Sequence, residues 1–240
     1  MVHVTRQGGA LLVGLLFSFL AAGASAASAQ TSSLPSGWAH ADIGGPVVVG
    51  DATSANGSFT VTGAGTDVGG TSDEFHYAYQ RITGDVDIRV RVSTLQNVDP
   101  AAKAGLMIRE SLLDNSRDAF MFVSAGQGTA FQRRTKAGRV SVQTNGAATA
   151  APVWLRLLRQ GSIFSAYSSA TGTNWTLIGS ASITMNAATY VGLAVTSHAP
   201  SLTANATFTN VGFAGALPLP WASADIGAPA MAGAAYFSDR

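Results

Sequence analysis

The sequence predicts an all-β fold, a two-sheet antiparallel sandwich of the jelly-roll kind, on three observations. Polar and apolar residues alternate with a period of two, not 3.6, through most of the chain. Turn formers punctuate the alternating runs at Asn56-Gly57, Gly69-Gly70, Gly126 and Gly128, Asn145-Gly146 and Thr171-Gly172. Finally, the 240 residues are 47% hydrophobic and only 11% charged, with 27 glycines and no cysteine. That is too apolar for a disordered chain and too rich in Gly, Ser and Thr for a helical bundle.

Residues 1–29 read as a secretory signal peptide. Arg6 lies in a short polar start, an apolar run covers 10–22, and Ala-x-Ala sites follow at 24–26 and 27–29. The run is shorter than the roughly 20 residues of a membrane span, so the cleaved chain is expected to be secreted, extracellular or at the cell surface, with no membrane contact. Loss of Arg6 reduces the 14 Lys+Arg to a number matching the 13 Asp+Glu, which leaves no excess charge for nucleic acid. Without cysteine there is no disulfide, thiol nucleophile or cysteine-ligated metal, and stability must come from core burial.

Residues 30–37 form a linker, and 38–214 form the sandwich. Trp38 is expected to lock the first strand in place. Strands are then predicted at 59–62, 74–80, 85–92, 104–109, 119–124 and 130–134, and again at 153–159, 162–167, 173–178, 190–196 and 204–213. The most regular is 85–92, where Asp85, Asp87, Arg89 and Arg91 alternate with Val86, Ile88, Val90 and Val92. Only 99–104 is expected to take a helical turn or two. Trp154 reads as core, and Trp175 as core or rim. Residues 215–220 are a Pro-rich linker. Beyond it, Trp38-Ala-His-Ala-Asp-Ile-Gly-Gly-Pro returns as Trp221-Ala-Ser-Ala-Asp-Ile-Gly-Ala-Pro, and Gly50 returns as Gly233. Residues 221–240 thus read as the first strand of a second copy, within a tandem array of modules each expected to be monomeric. The alternative is that they compete with 38–54 for one place in the sheet, giving exchanged dimers.

Several segments resemble the bacterial concanavalin A-like lectin/glucanase (LamG-like) sandwiches that repeat in secreted multidomain proteins, some labelled "regulation of enolase". They are the Trp38 motif, Gly63-Ala-Gly-Thr-Asp-Val-Gly, Asp73-Glu-Phe-His-Tyr, Gly84-Asp85, Lys103-Ala-Gly-Leu-Met-Ile-Arg-Glu-Ser-Leu112, Phe131-Gln-Arg-Arg134 and Asn174-Trp175-Thr176. The resemblance spans 36–213 and implies two packed sheets and carbohydrate binding. Lectin-like jelly rolls often carry a structural Ca²⁺ on oxygen ligands. Asp42 and Asp67, in or beside glycine-rich loops, are the candidate ligands, although loop aspartates also form turns.

No catalytic residue is assigned. A glucanase on this scaffold would carry Glu-x-Asp-x-x-Glu on a strand, whereas Glu74 and Glu110 are the only glutamates and neither belongs to such a motif. Asp85 and Asp87 share a face with Arg89 and Arg91, which favours ion pairing. There is no Gly-x-Ser-x-Gly elbow, and the spacing of His40 and His76 matches no zinc motif. For binding, alternation places Lys103 and Arg109 on one face with Ala104, Leu106 and Ile108 on the core face. It also places Gln132 and Arg134 opposite Phe131, and His76 opposite Phe75 and Tyr77. Asp73, His76, Lys103, Arg109, Gln132 and Arg134 are therefore the candidate ligand-binding set, or else a structural ion-pair network. The leading reading is a non-catalytic carbohydrate-binding module for a glycan or cell-surface polysaccharide. The alternatives are a spacer or adhesion module, and a glycoside hydrolase with atypical carboxylates.

Overall fold

The computed structural model describes residues 34–215. The expected signal peptide and the repeated segment 221–240 lie outside them. Fourteen strands follow one another: β1 (Ala39–Ile43), β2 (Asp51–Ala55), β3 (Ser58–Gly63), β4 (Phe75–Thr83), β5 (Val86–Leu95), β6 (Lys103–Arg109), β7 (Asp118–Ser124), β8 (Gly128–Arg134), β9 (Val142–Asn145), β10 (Val153–Gln160), β11 (Ile163–Ser169), β12 (Thr176–Ser182), β13 (Ala188–Thr196) and β14 (Ala204–Gly215). They form two seven-stranded sheets, ordered β1-β4-β13-β6-β7-β8-β9 and β12-β11-β10-β5-β14-β3-β2. Every pairing is antiparallel. The predicted sandwich is the observed one.

The main core lies between the sheets. Val86, Ile88, Val90 and Val92 of β5 meet Leu155 and Leu157 of β10, Phe208 of β14, and Leu106, Ile108 and Met121 from the opposite sheet. Burying each large aliphatic or aromatic side chain contributes about 1.5–3 kcal/mol. On the outer face of this second sheet the pattern is polar, as its alternation predicts. Arg156 donates from Nε and one terminal nitrogen to the two oxygens of Asp87, at 2.8 and 2.7 Å. Trp38 packs its ring 4.6 Å from Phe59 and 6.0 Å from Phe213, which fastens the entry of β1 to the second sheet.

Residues 99–104 form no helix. The backbone N–H of Ala102 donates to the Asp99 carbonyl at 2.9 Å, and the Asp99 carboxylate accepts from Ala101 N–H at 2.7 Å. This local side-chain bond closes a single turn, and β6 begins at Lys103.

The internal repeat follows burial. In the first copy Ile43, Pro46, Gly50 and Ala52 are buried, and the sequence repeats them as Ile226, Pro229, Gly233 and Ala235. Gly44 adopts φ 76°, and a Cβ there would strike the Asp73 carbonyl oxygen. Its counterpart is Gly227.

Candidate functional site

The first sheet is buried on both faces over part of its width. Ala104, Leu106 and Ile108 point into the sandwich, as the alternation requires. The other face carries a second apolar cluster of Ile43, Val68, Phe75, Tyr77, Met107, Phe120, Phe122, Ala130 and Ala194. Three loops cover it, running from β3 to β4, β6 to β7 and β8 to β9. They are tied together by Asp73 N–H to the Asp114 carbonyl (3.0 Å), Ser141 N–H to Gly70 (2.9 Å) and Gly138 N–H to Asn115 (2.8 Å).

Beneath these loops the register aligns Arg109, Asp118 and Arg134 in one row across β6, β7 and β8. Arg134 donates to both oxygens of Asp73 at 2.6 and 2.7 Å, to Asp118 at 3.1 Å, and to the Ser116 and Arg139 carbonyls at 3.0 Å each. Arg109 lies 3.5 Å from Asp73 and 5.1 Å from the centre of the Phe75 ring. Lys103 is paired with Asp67, and Gln132 donates to the Val68 carbonyl at 2.6 Å. Asp73, Arg109 and Arg134 show at most 1% of their surface. Five of the six residues expected to face a ligand thus do converge, but as an enclosed network bonded to its own members and to loop carbonyls.

His76 departs from the expectation, because it lies on the sandwich side of β4, opposite Asp42 of β1. Phe75 and Tyr77, expected in the core, are the ones that share a face with the charged row. The cause is the loop layer, which makes an apolar side chain as welcome on this face as on the inner one.

Asp118 is the strained member. Burial, together with the charge of Asp73, lifts its carboxyl to about 7 against the opposing pull of Arg134 and Arg109, and its Oδ1 has no hydrogen-bond partner. The folded protein therefore binds this proton more tightly than the unfolded chain does. That contribution to stability is fully present below roughly pH 4, the ordinary aspartate value, and is lost as pH rises toward 7. His76, held below its ordinary value chiefly by burial, acts in the opposite sense below roughly pH 6.5, so the comparison must be differential. Chemical denaturation of wild type and Asp118→Asn at pH 4.5 and 7.5 should show the variant gaining more than about 1 kcal/mol relative to wild type at the higher pH. Parallel pH profiles would rule out the raised carboxyl.

The charged row continues outward. Arg109 pairs in register with Tyr190 of β13, and Tyr190 with Arg81 of β4. Here the loops no longer cover the sheet: Arg81 is exposed, and Tyr79 and Tyr190 are half-buried. The Tyr79 ring stacks on Tyr77 at 5.2 Å and meets Tyr190 edge-on at 5.2 Å, while the Arg81 guanidinium lies 5.7 Å from the centre of the Tyr190 ring. Tyr79 is flanked in register by Ala39 and Gly192, so its neighbours on the adjacent strands are small. The result is an aromatic platform with a cationic hydrogen-bond donor at its edge. Its signal was present as the i, i+2 series Phe75, Tyr77, Tyr79, Arg81, but only the position of the loops distinguishes its wet end from its dry end.

The remaining candidate residues have local partners. Asp42 accepts from the Gly50 N–H at 3.1 and 3.2 Å and bonds His76 Nδ1 at 2.6 Å. Asp67, on the loop between β3 and β4, holds Lys103 and accepts from Val68 N–H at 2.8 Å. Among the described residues no three His, Asp or Glu side chains gather as a metal ligand set. Glu74 accepts from Thr66 N–H at 2.7 Å, while Glu110 takes Arg117 at 2.8 Å and Asn186 N–H at 3.0 Å. No helix among the described residues is long and apolar enough to cross a membrane.

No protein-family model and no curated protein sequence matches the chain. Solved structures do resemble it. A functionally unknown protein from Saccharomyces cerevisiae aligns with TM-score 0.60 and 16% identity, over 80% of this chain and 98% of its own. The carbohydrate-binding module CBM66 from Bacillus subtilis aligns with TM-score 0.50 and 17% identity, over 74% and 94%. The Bacteroides ovatus xyloglucan-locus protein GH43B aligns with TM-score 0.53 and 14% identity, over 74% of this chain but 37% of its own. At these identities the common property is the fold: this chain is an all-β, two-sheet jelly-roll sandwich.

Proposed function

We propose that the protein is a secreted, non-catalytic carbohydrate-binding module of a repeat-containing extracellular protein, and that it engages its glycan at Tyr79, Tyr190 and Arg81. The half-exposed tyrosine pair carries this reading. The CH-rich face of a sugar stacks on an aromatic ring while its hydroxyls need directional partners such as a guanidinium. The alignment with a carbohydrate-binding module and the recurrence of the Trp38 motif at Trp221 support it. Asp73, Lys103, Arg109, Gln132 and Arg134 enter as the rigid support beneath the loops, next to the platform rather than on it. The test is a glycan array on the full chain, followed by Tyr79→Ala and Tyr190→Ala. Each substitution should weaken the strongest array ligand about tenfold, or about 1.4 kcal/mol, while the domain stays folded with a melting temperature only moderately lowered, since both rings also pack on the second apolar cluster. Affinity unaltered by both would remove the platform, and an array without any binder would favour a spacer or adhesion module.

One observation favours a hydrolase instead. A carboxyl held near neutrality is what a general acid requires, and Asp118 is such a group. It is, however, sealed under the loops at 0% exposure. Reducing-sugar release that disappears in Asp118→Asn would establish that reading.

A further inference from the structure

On the other side of β4 lies an arrangement that the glycan reading does not use. His40 and His76 face each other, with His40 Nδ1 3.0 Å from His76 Nε2. His76 is 1% exposed, and its ring occupies a slot that exists because positions 50 and 63 are glycines. A Cβ at Gly50 would strike the imidazole, and one at Gly63 would lie 3.1 Å from the His76 Cβ. Its Nδ1 is bonded to Asp42, whose oxygens are themselves held by the Gly50 N–H. With the Nδ1 proton on the carboxylate side, Nε2 presents its lone pair to His40. A carboxylate that orients one ring nitrogen while the other is left to coordinate is the usual outer-shell support of a metal-ligating histidine. His40 is exposed on the edge strand β1, so its ring is free to turn and the remaining coordination positions open to water.

We propose that His40 Nδ1 and His76 Nε2 form a two-nitrogen site for a divalent first-row metal ion of tetragonal preference, Cu²⁺ or Ni²⁺. Two nitrogens 3.0 Å apart, each about 2.0–2.1 Å from one metal ion, subtend an angle of roughly 94°. That lies near the right angle between adjacent ligands of a square-planar or tetragonal ion. A tetrahedral ion such as Zn²⁺ would need the nitrogens roughly 3.3–3.4 Å apart, a wider spacing than the pair shows. The carboxylates of Asp42 and Asp51, both of which act electrostatically on His76, add negative potential for a dication. Two imidazoles with water in the other positions make an exchangeable site, not a structural one.

The test uses the untagged full chain carrying His3→Ala, which removes the competing copper chelate that an amino terminus makes with a histidine at position 3. Calorimetric titration with Cu²⁺ should show one equivalent bound. The electron paramagnetic resonance spectrum should be axial, with coupling to two imidazole nitrogens. His40→Ser, the residue found at the matching position of the repeated segment (Ser223), should lower the affinity at least tenfold without changing the melting curve. Asp42→Asn should lower it 10- to 100-fold, and His198→Ala should leave it unchanged. Binding that survives His40→Ser, a spectrum without two-nitrogen coupling, or tighter binding of Zn²⁺ than of Ni²⁺ would overturn the proposal. If His40→Ser alters the fold, methylation of His40 detected by mass spectrometry and blocked by Cu²⁺ decides the question; labelling indifferent to Cu²⁺ counts against the site.

Discussion

Arg134→Met should be among the most damaging single substitutions in this protein, costing about 3–5 kcal/mol. Its guanidinium is shared by Asp73 and Asp118, all three enclosed. Burial alone would depress the arginine's pKa, but the hydrogen bond and charge of Asp73, helped by Asp118, hold it above the ordinary value. Methionine fills much of the volume yet leaves Asp73 and Asp118 with one nearby cation, Arg109, and frees the Gly69 and Ser116 carbonyls that Arg134 bonds. The penalty comes from stranded charge rather than from lost attraction. Adding Asp118→Asn to Arg134→Met should therefore recover part of the loss, whereas Arg134→Lys should keep the charge and lose the two-pronged geometry. Urea denaturation of the three variants checks this. A cost below about 1 kcal/mol for Arg134→Met would mean that water reaches the network.

Phe208→Ala should cost a comparable 3–5 kcal/mol for the opposite reason, since no charge is involved. Phe208 is fully buried and pairs across the sheet with Phe59 on one side and Val92 on the other. Both neighbouring strands are fixed by further partners, so the hole cannot collapse. For a domain of this size that amounts to a melting temperature lower by about 10 °C. Leu177→Ala, on an edge strand with Leu177 53% exposed, provides the contrast and should change stability by less than about 0.5 kcal/mol. Equal losses at the two sites would show that the core between the sheets is not the dominant source of stability.

The sequence was legible where water wets one side of a strand. In β5 Val86, Ile88, Val90 and Val92 and in β10 Val153, Leu155 and Leu157 are apolar and buried, and the prediction located both strands. Trp154, expected in the core, instead lies half-buried on the outer face beside Arg91. It weakened where strands are dry on both sides: every residue of β6 and β7 is buried. Phe75 and Tyr77 could not be separated from core residues by their hydrophobicity, because they sit in a second core that only the loops create. The weakest elements were exposed ones. Strand β9 has little to bury, since its residues are exposed or half-exposed, so no apolar period announces it. The strand expected at 173–178 is displaced to Thr176–Ser182 for the same reason. The charged set was found because charge is scarce: in a chain only 11% charged, Asp73, Lys103, Arg109 and Arg134 stand out. What alternation along single strands cannot tell is whether a loop lies over a charged row or leaves it open. The exposed platform was therefore missed, and the enclosed network took its place.

The strand order has a consequence for synthesis. The last two of the described strands to be synthesised, β13 and β14, are interior to their sheets, β13 between β4 and β6 and β14 between β5 and β3. Until they arrive, β4 has no bridge to β6 and β3 has none to β5, so both sheets exist only as separate halves. No shorter piece of residues 34–215 that lacks β13 and β14 can close the sandwich, so this domain stays open until both have been made. A chain that must be threaded through a membrane before it folds would be kept pliable by this wiring alone.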